Sequence, residues 1–271
     1  MTLSINYERK KGLLQYLQTL FREPLSFFDQ AIYRIAAVLI GLCLHEFAHA
    51  YVAHRCGDDT ALEAGRMTIN PLAHLDPVGT LLMFFVGFGY ARPVPVNPYR
   101  FKGNRVQADF LVSIAGICMN AILFLLFTVV MVFASSKMWD PRVIEQNGLY
   151  RLCSYRFSAI WDVIQGRAPE KFGSFLVNGW LVPVVRLSAY TALVNLNLAL
   201  FNFLPIPPLD GYHVFNDLIF KGRFQLDRNG FRIAMGIVLV LSATGLLGRL
   251  ISACLLPIQD FILTPVRAIW G

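Results

Sequence analysis

The 271-residue chain is 56% hydrophobic and only 15% charged, and its mean hydropathy is +0.53. This composition excludes an ordinary soluble domain and predicts an all-α, polytopic membrane protein with about five or six membrane segments. The net charge of +7 does not indicate nucleic-acid binding, because the basic residues stand in short runs beside apolar segments, as topology signals and lipid-headgroup contacts do. The five cysteines are scattered without C-x-x-C spacing, so no disulfide framework or thiolate zinc site is expected.

The amino-terminal segment, residues 1–30, is expected to lie at the membrane interface. Residues 13–28 alternate apolar and polar positions and are interrupted by Arg22-Glu23-Pro24, so they are unsuited to crossing a bilayer. No small-residue cleavage site follows, which argues against a removable signal peptide. Residues 31–271 are predicted to form a single membrane domain.

The first clear apolar span, residues 31–54, contains the sequence His45-Glu46-Phe47-Ala48-His49. On a helix the two histidines lie one turn apart and face the same way, so both can hold one metal ion, while Glu46 lies beside them to act on a metal-bound water. The same pattern occurs by chance in unrelated chains. A purely structural role is a poor explanation for ionisable residues in this span, since an acidic residue at bilayer depth costs at least ~2.5 kcal/mol on insertion scales.

Two unusual segments follow this motif. Residues 78–90 form an apolar run that is short for a full crossing, and either a tilted span or a re-entrant segment would fit. In residues 91–98, ARPVPVNP, alternate prolines forbid helix and favour extended backbone, which must be sheltered by protein or water inside a membrane. Such a hairpin could leave Val94 and Val96 free to pair with an unwound substrate, although a rigid connecting turn is the alternative.

Three further spans are predicted, at residues 107–135, 180–204 and 232–256. The first contains Gly116 and Asn120, and the second breaks at a proline-rich sequence. The connecting region 136–179 carries aromatic residues suited to the membrane surface, namely Trp139, Tyr150, Tyr155 and Trp161. Basic residues place the amino terminus, residues 92–105 and residues 219–232 on the cytoplasmic side, and this alternation is consistent if residues 78–90 cross fully.

A catalytic zinc ion needs a third protein ligand as well as a position for water. Asp210 is the best candidate, because it follows the proline-break after residue 204, where irregular backbone can deliver a side chain inward. Its ordinary alternative is the N-cap of a following helix. Glu63 is a rival in a polar stretch, whereas His54 turns away from the shared helix face. His74 and His213 are expected to be structural or supporting histidines.

The ordered segments HEFAH (45–49), NPLAHLDPVGT (70–80), GYARPVPVNP (89–98), AGICMN (115–120) and NFLPIPPLDG (202–211) resemble the site-2 proteases, a family of intramembrane zinc metalloproteases. The resemblance covers about residues 30–215 and is closest to compact members without a PDZ domain. It implies that Asp210 is the third zinc ligand, that Asn120 contacts the substrate or its reacting carbonyl, and that the proline-rich hairpin helps to hold the substrate. Ile117 departs from the family pattern, in which proline commonly follows the Ala-Gly pair, and leaves the helix geometry near Asn120 in doubt.

The expected function is therefore hydrolysis of peptide bonds in or near transmembrane helices of other membrane proteins. One zinc ion per chain, held by His45, His49 and Asp210, would activate water, with Glu46 as general base and Asn120 as a contact to the developing oxyanion. The alternative is that Asn120 makes a packing contact between helices. A zinc transporter or a non-catalytic scaffold would use the same ligands without hydrolysis. The size and the lack of a targeting peptide suggest a bacterial inner membrane.

Overall fold

The computed structural model describes residues 20–76, 92–224 and 226–270. Regular structure in these ranges is helical, and one isolated β-bridge joins Trp139 to Leu176. In chain order the helices are α1 (Pro24–Arg55), α2 (Thr60–Glu63), α3 (Pro71–His74), α4 (Arg105–Met138), α5 (Pro141–Asn147), α6 (Leu149–Cys153), α7 (Ser158–Ile164), α8 (Ala168–Phe172), α9 (Val182–Asn202), α10 (Asp210–Phe220), α11 (Arg228–Ala243), α12 (Leu246–Ile262) and α13 (Thr264–Trp270).

Among the described residues, three stretches are long and apolar enough to cross a membrane: Pro24–Arg55, Arg105–Met138 and Gly179–Asn202. They coincide with three of the predicted spans, which confirms the all-α membrane class. Residues 78–90 lie outside the described residues, so the predicted total of five or six segments stays a prediction. The first span begins earlier than expected, at Pro24, because proline at the first helical position is well suited to start a helix.

Helix α4 is the centre of the bundle. It packs most extensively against α9, then against α1 and α10, and α1 also contacts α9. Asn104 starts α4 by accepting hydrogen bonds from the backbone amides of Val106 and Gln107. Ile117, which stands where proline was expected from the family pattern, lies inside the uninterrupted helix and is buried against Ala199 and Val214. Since no proline interrupts it, α4 runs continuously past Asn120.

The connecting region 136–179 is more deeply packed than its aromatic residues suggested. Trp139 and Tyr155 are 2% and 3% exposed, within a core formed with the ends of α4 and α9. The Tyr155 hydroxyl donates a hydrogen bond of 2.7 Å to the carbonyl of Ala189. These two aromatic rings therefore serve the protein core and not the membrane surface, because the short helices α5 to α8 fold back onto the bundle.

The last predicted span, residues 232–256, is not one helix. Helix α11 ends at Ala243 and α12 begins at Leu246, and Gly245 between them has φ of +70°. Glycine adopts this left-handed conformation without the steric cost that a Cβ would bring. The two short helices contact each other, so the apolar run forms a helical pair where hydropathy predicted a single crossing.

Candidate metal centre

The two histidines of the motif face the interior of the bundle from the last three turns of α1. His45 and His49 are 5% and 8% exposed, and their Nε2 atoms lie 3.0 Å apart. The four-residue spacing brings one ring above the other on a helix, as expected from the sequence. Both Nε2 atoms therefore point at the same small volume.

Asp210 reaches that volume from the start of α10. Its Oδ2 atom lies 3.2 Å from His45 Nε2 and 3.3 Å from His49 Nε2. The carboxylate makes no capping hydrogen bond, so the N-cap alternative is not realised, and Leu209 occupies the N-cap position. Gly211 allows this approach, because a Cβ there would lie 2.5 Å from the carbonyl oxygen of Phe203 in the preceding proline-rich loop.

The protonation of the two rings makes this cluster suited to a cation. The Nδ1 atoms of His45 and His49 lie 2.6 Å from Asn120 Oδ1 and 2.7 Å from the carbonyl of Val112, so each Nδ1 carries the proton that these oxygens accept. Each Nε2 then presents a lone pair, and Asp210 Oδ2, which is buried, has no hydrogen-bond donor among the described residues. Three lone pairs that face one another without a proton between them repel, and a bound cation removes that repulsion.

The spacing also fits zinc. Tetrahedral coordination at the usual zinc–nitrogen and zinc–oxygen distances places ligand atoms about 3.3 Å apart, and the three separations here run from 3.0 to 3.3 Å. Within the described part of the chain, this is the cluster of three histidine, cysteine or acidic residues close enough to share a metal ion. Two imidazoles and one carboxylate leave a fourth position for water or substrate.

Asn120 is buried behind the first histidine. Its side chain is 0% exposed, and besides contacting His45 it donates hydrogen bonds to Asn195 Oδ1 at 2.8 Å and to the Gly41 carbonyl at 3.3 Å. Asn195 in turn donates to the carbonyl of Thr191. This chain of amides joins α1, α4 and α9, and it orients Asn120 so that its oxygen faces the ring.

Gly116 lets α4 approach the two histidines. A Cβ at this position would lie 2.5 Å from His45 Cε1, 2.7 Å from His45 Nδ1 and closer still to His49 Nε2. Any side chain larger than hydrogen would therefore push the rings or the helix away. The glycine is required by this close approach between a helix and the ligand-bearing residues of its neighbour.

Glu46 lies beside the histidines and contacts the proline-rich segment. Its Oε2 accepts a hydrogen bond of 2.8 Å from the backbone amide of Val94. Residues 92–97 are neither helical nor part of a strand, and Asn97 has extended φ and ψ angles of −117° and 96°. Residues 89–91 of the same sequence motif are outside the described ranges. A cavity of about 320 Å³ joins these features, lined among others by Glu46, His49, Asp210, Val94 and Val96.

The remaining candidates lie elsewhere or have other partners. Glu63 is exposed and its Oε2 accepts from Arg100 Nη1 at 2.8 Å, while His54 pairs with Asp59. His74 is buried against the Thr68 carbonyl. His213 borders the cavity and lies 3.1 Å from Asp109 Oδ2, a hydrogen bond that raises the pKa of its imidazole.

Comparison with known proteins agrees with this geometry. The model of peptidase family M50 matches residues 33–244. The chain belongs to peptidase family M50, the site-2 proteases. Among its relatives, the Bacillus subtilis protein named "Putative zinc metalloprotease YwhC" is 38% identical over 190 residues, which is 70% of each chain. The proteins named "Putative zinc metalloprotease Rip2" from Mycolicibacterium smegmatis and Mycobacterium tuberculosis are 26% and 27% identical, over 74% of this chain and 62% of theirs. No solved structure matches.

As an M50 member the chain is a membrane-embedded zinc metalloprotease. Sequence reasoning identified the three residues that the structure brings together, but it missed their supports. The sequence did not single out Asn195, nor Arg66 and Asp58, whose side chains bind the backbone of residues 92–97. The available signal for Asn195 was an amide in an apolar helix, which needs a buried partner.

Proposed function

We propose that this M50 metalloprotease cleaves peptide bonds in or near the transmembrane helices of other membrane proteins, with Glu46 as its general base. The observation that carries the proposal is the convergence of His45, His49 and Asp210 inside a helical membrane bundle, on a cavity that Glu46 also lines. A carboxylate, two imidazoles and an adjacent second carboxylate form the donor set and base of zinc-dependent peptide hydrolysis.

A zinc ion held by these three residues would act as a Lewis acid, which polarises a scissile carbonyl and lowers the pKa of water. Glu46 would take the proton of the attacking water and return it to the leaving amide nitrogen. His45 and His49 hold their lone pairs in place because Asn120 and the Val112 carbonyl accept from their other ring nitrogens. Such outer partners fix both the tautomer and the ring orientation.

Asn120 acts, in this proposal, on His45 and not on the substrate. The expectation of an oxyanion contact requires an amide group that faces the cavity, whereas Asn120 is fully buried and its oxygen and nitrogen both have protein partners. Its role is then to position a ligand. The interhelical contact with Asn195 supports this role. The Asn120 amide nitrogen donates to Asn195, so the Asn120 oxygen is left to face the His45 ring.

The substrate would enter as an extended strand along the proline-rich segment. A transmembrane helix hides its peptide bonds in its own hydrogen bonds, so cleavage requires local unwinding, and an exposed edge can accept the freed backbone. Val96 lines the cavity, and its amide and carbonyl have no hydrogen-bond partner among the described residues, so both could pair with such a strand. We also propose a multi-pass topology in a bacterial inner membrane.

The experiment that tests the function compares purified, reconstituted variants on a reporter with a transmembrane helix. Glu46→Gln should lower turnover by about 10²- to 10⁴-fold, the range that a general acid–base contributes, while zinc content by metal analysis stays at one per chain. Glu63→Gln is the matched control, because its carboxylate is exposed and paired with Arg100. Wild-type turnover in Glu46→Gln would remove Glu46 from the reaction. Zinc flux into sealed vesicles without cleavage would point to a transporter.

A further inference from the structure

The proline-rich segment 92–97 is held in place by two side chains. Arg66 Nη2 donates to the carbonyl of Arg92 at 2.6 Å and, at 3.4 Å, to that of Pro93. At the other end, Asp58 Oδ2 accepts from the backbone amide of Asn97 at 2.6 Å. Arg66 and Asp58 are 9% and 0% exposed, so both are built into the protein. The segment is therefore a fixed wall of the cavity.

Between these anchors, the two edges of the segment have different surroundings. In an extended chain the amide and carbonyl of one residue point to the same edge, and those of the next residue to the opposite edge. The amide of Val94 points at Glu46 and that of Asn97 points at Asp58. Val94 and Val96 thus share the edge that faces the cavity, and both residues line it.

The position of Val94 is restricted by its packing and by the prolines on either side. Its side chain is 9% exposed and packs with Ala50 and Ala61. Pro93 and Pro95 on either side limit the backbone, because a proline has a locked φ and restricts the residue before it. The amide that contacts Glu46 consequently has little freedom to move, and it can impose a position on the more flexible carboxylate.

We propose that the backbone amide of Val94 is a positioning group for Glu46, so that the segment which receives the substrate also aims the base. This inference rests on the function proposed above. The amide occupies Oε2 of the carboxylate, which leaves Oε1 to face the water. Hydrogen bonds to a charged acceptor are about twice as strong as neutral ones, so a single amide can select one side-chain orientation. A strand that pairs with Val96 would then hold the wall and the base together.

The amide can be removed without removing the residue's backbone position. Val94→Pro lacks the N–H and suits extended backbone, whereas Val94→Ala keeps the N–H and loses only packing. We expect Val94→Pro to lower kcat about 10- to 100-fold relative to Val94→Ala, the usual effect of losing an outer partner at a metal site. Zinc affinity, measured by competition with a chelator, should be equal in the two variants, since the amide of Val94 donates to Glu46 and not to a metal-binding residue.

Val96→Pro is the matched comparison on the same edge. Among the described residues the Val96 amide has no hydrogen-bond partner, so its removal should raise KM with a smaller change in kcat. Substrate affinity without cleavage is measured by placing both changes in the Glu46→Gln background. There Val94→Pro should leave the dissociation constant of the uncleaved reporter unchanged, and Val96→Pro should increase it.

The outcomes separate the two proposals. If Glu46→Gln is inactive but Val94→Pro turns over as fast as Val94→Ala, the positioning inference is overturned and the function stands. If Glu46→Gln keeps wild-type turnover, both are overturned. Should Val94→Pro lose its zinc through misfolding, the α-hydroxy analogue of valine, inserted at position 94 by nonsense suppression, replaces N–H by oxygen with the side chain retained, and its kcat decides in the same way.

Discussion

At the scale of single residues, the site depends on atoms that cannot be exchanged without moving the histidine rings. Each ring nitrogen that faces away from the cluster has an oxygen acceptor, from Asn120 for His45 and from Val112 for His49. A buried polar group that loses its partner costs about 1–3 kcal/mol. The arrangement is therefore stable only as a whole, which makes small changes beside the rings informative.

Gly116→Ala should weaken zinc binding although it adds only one methyl group. The added Cβ would contact both rings at 2.5 Å or less and must displace them or α4. We expect the zinc affinity, measured by chelator competition, to fall at least about 10-fold, as outer-partner changes at metal sites do.

The control for this change is Gly236→Ala in α11, where an added Cβ meets nothing within 4 Å. There the substitution should leave zinc affinity unchanged and stabilise the helix slightly, since alanine is favoured over glycine in helices. Normal zinc binding in Gly116→Ala would show that the rings and α4 are farther apart than the structure places them.

At the scale of elements, α10 carries Asp210 and is held against α4 by a polar cluster. His213 on α10 contacts Asp109 on α4, and Asp217, one turn further along α10, lies near enough to Asp109 for their charges to interact. Asp217 is 7% exposed. Burial, and then the neighbouring charge of Asp109, raises the pKa of the Asp217 carboxyl to about 7. Two carboxyl groups in contact are stable when they share a proton.

The stability of this contact should depend on pH. The pKa of Asp217 is raised from 3.8 to about 7 on folding, so the folded state keeps a proton that the unfolded chain loses. The stability that this group contributes is fully present below the unfolded pKa of 3.8, declines as the pH rises, and is lost above about pH 7. The midpoint of thermal unfolding in detergent should therefore be higher at about pH 5.5 than at about pH 8.

Asp217→Asn should remove much of that difference, because the amide cannot ionise. His213, whose pKa is also raised, contributes a slope of the same sign that remains. Asp227→Asn, at an exposed carboxyl that binds the Gly230 amide, is the control and should keep the wild-type pH dependence. An Asp217→Asn slope equal to that of wild type would show that Asp217 is already ionised in the folded protein.

At the scale of the whole molecule, the metal site joins parts of the chain that are far apart in sequence. His45 and His49 come from α1, Asp210 from α10, and their supports from α4 and α9. A ligand that binds only the folded state stabilises it in proportion to the logarithm of its concentration. Zinc should consequently stabilise the folded protein by joining α1 to α10.

Removing zinc with a chelator should lower the midpoint of thermal unfolding, and zinc at one hundred times its dissociation constant should restore about 2.7 kcal/mol. Asp210→Ala should unfold at the same temperature with or without zinc, because one of the three bridging side chains is gone. The midpoint would be followed by tryptophan fluorescence in detergent. If the Asp210→Ala protein gains as much stability from zinc as wild type, Asp210 is not the third ligand, and Glu63 becomes the candidate again.

Sequence alone predicted the local features of this protein. The 56% hydrophobic composition and the apolar runs predicted an all-α membrane protein, and the four-residue spacing of the two histidines predicted their shared helix face. Prolines at alternate positions predicted extended backbone at residues 91–98. Each of these follows from interactions among neighbours in the chain, which composition and spacing record directly. The helix break at Gly245 was not predicted, because a hydropathy profile does not reveal that a single glycine has a left-handed conformation.

Tertiary structure decided everything that joins distant residues. Chemistry left Asp210 and Glu63 both open as third ligand, and the N-cap role open for Asp210, until the 3.2 and 3.3 Å separations brought Asp210 to the histidines. The partners of Asn120 and the contact between Glu46 and Val94 were equally beyond the sequence. Hydrogen bonds and close approaches between helices depend on how whole surfaces pack, and no local pattern in the chain records which surface meets which.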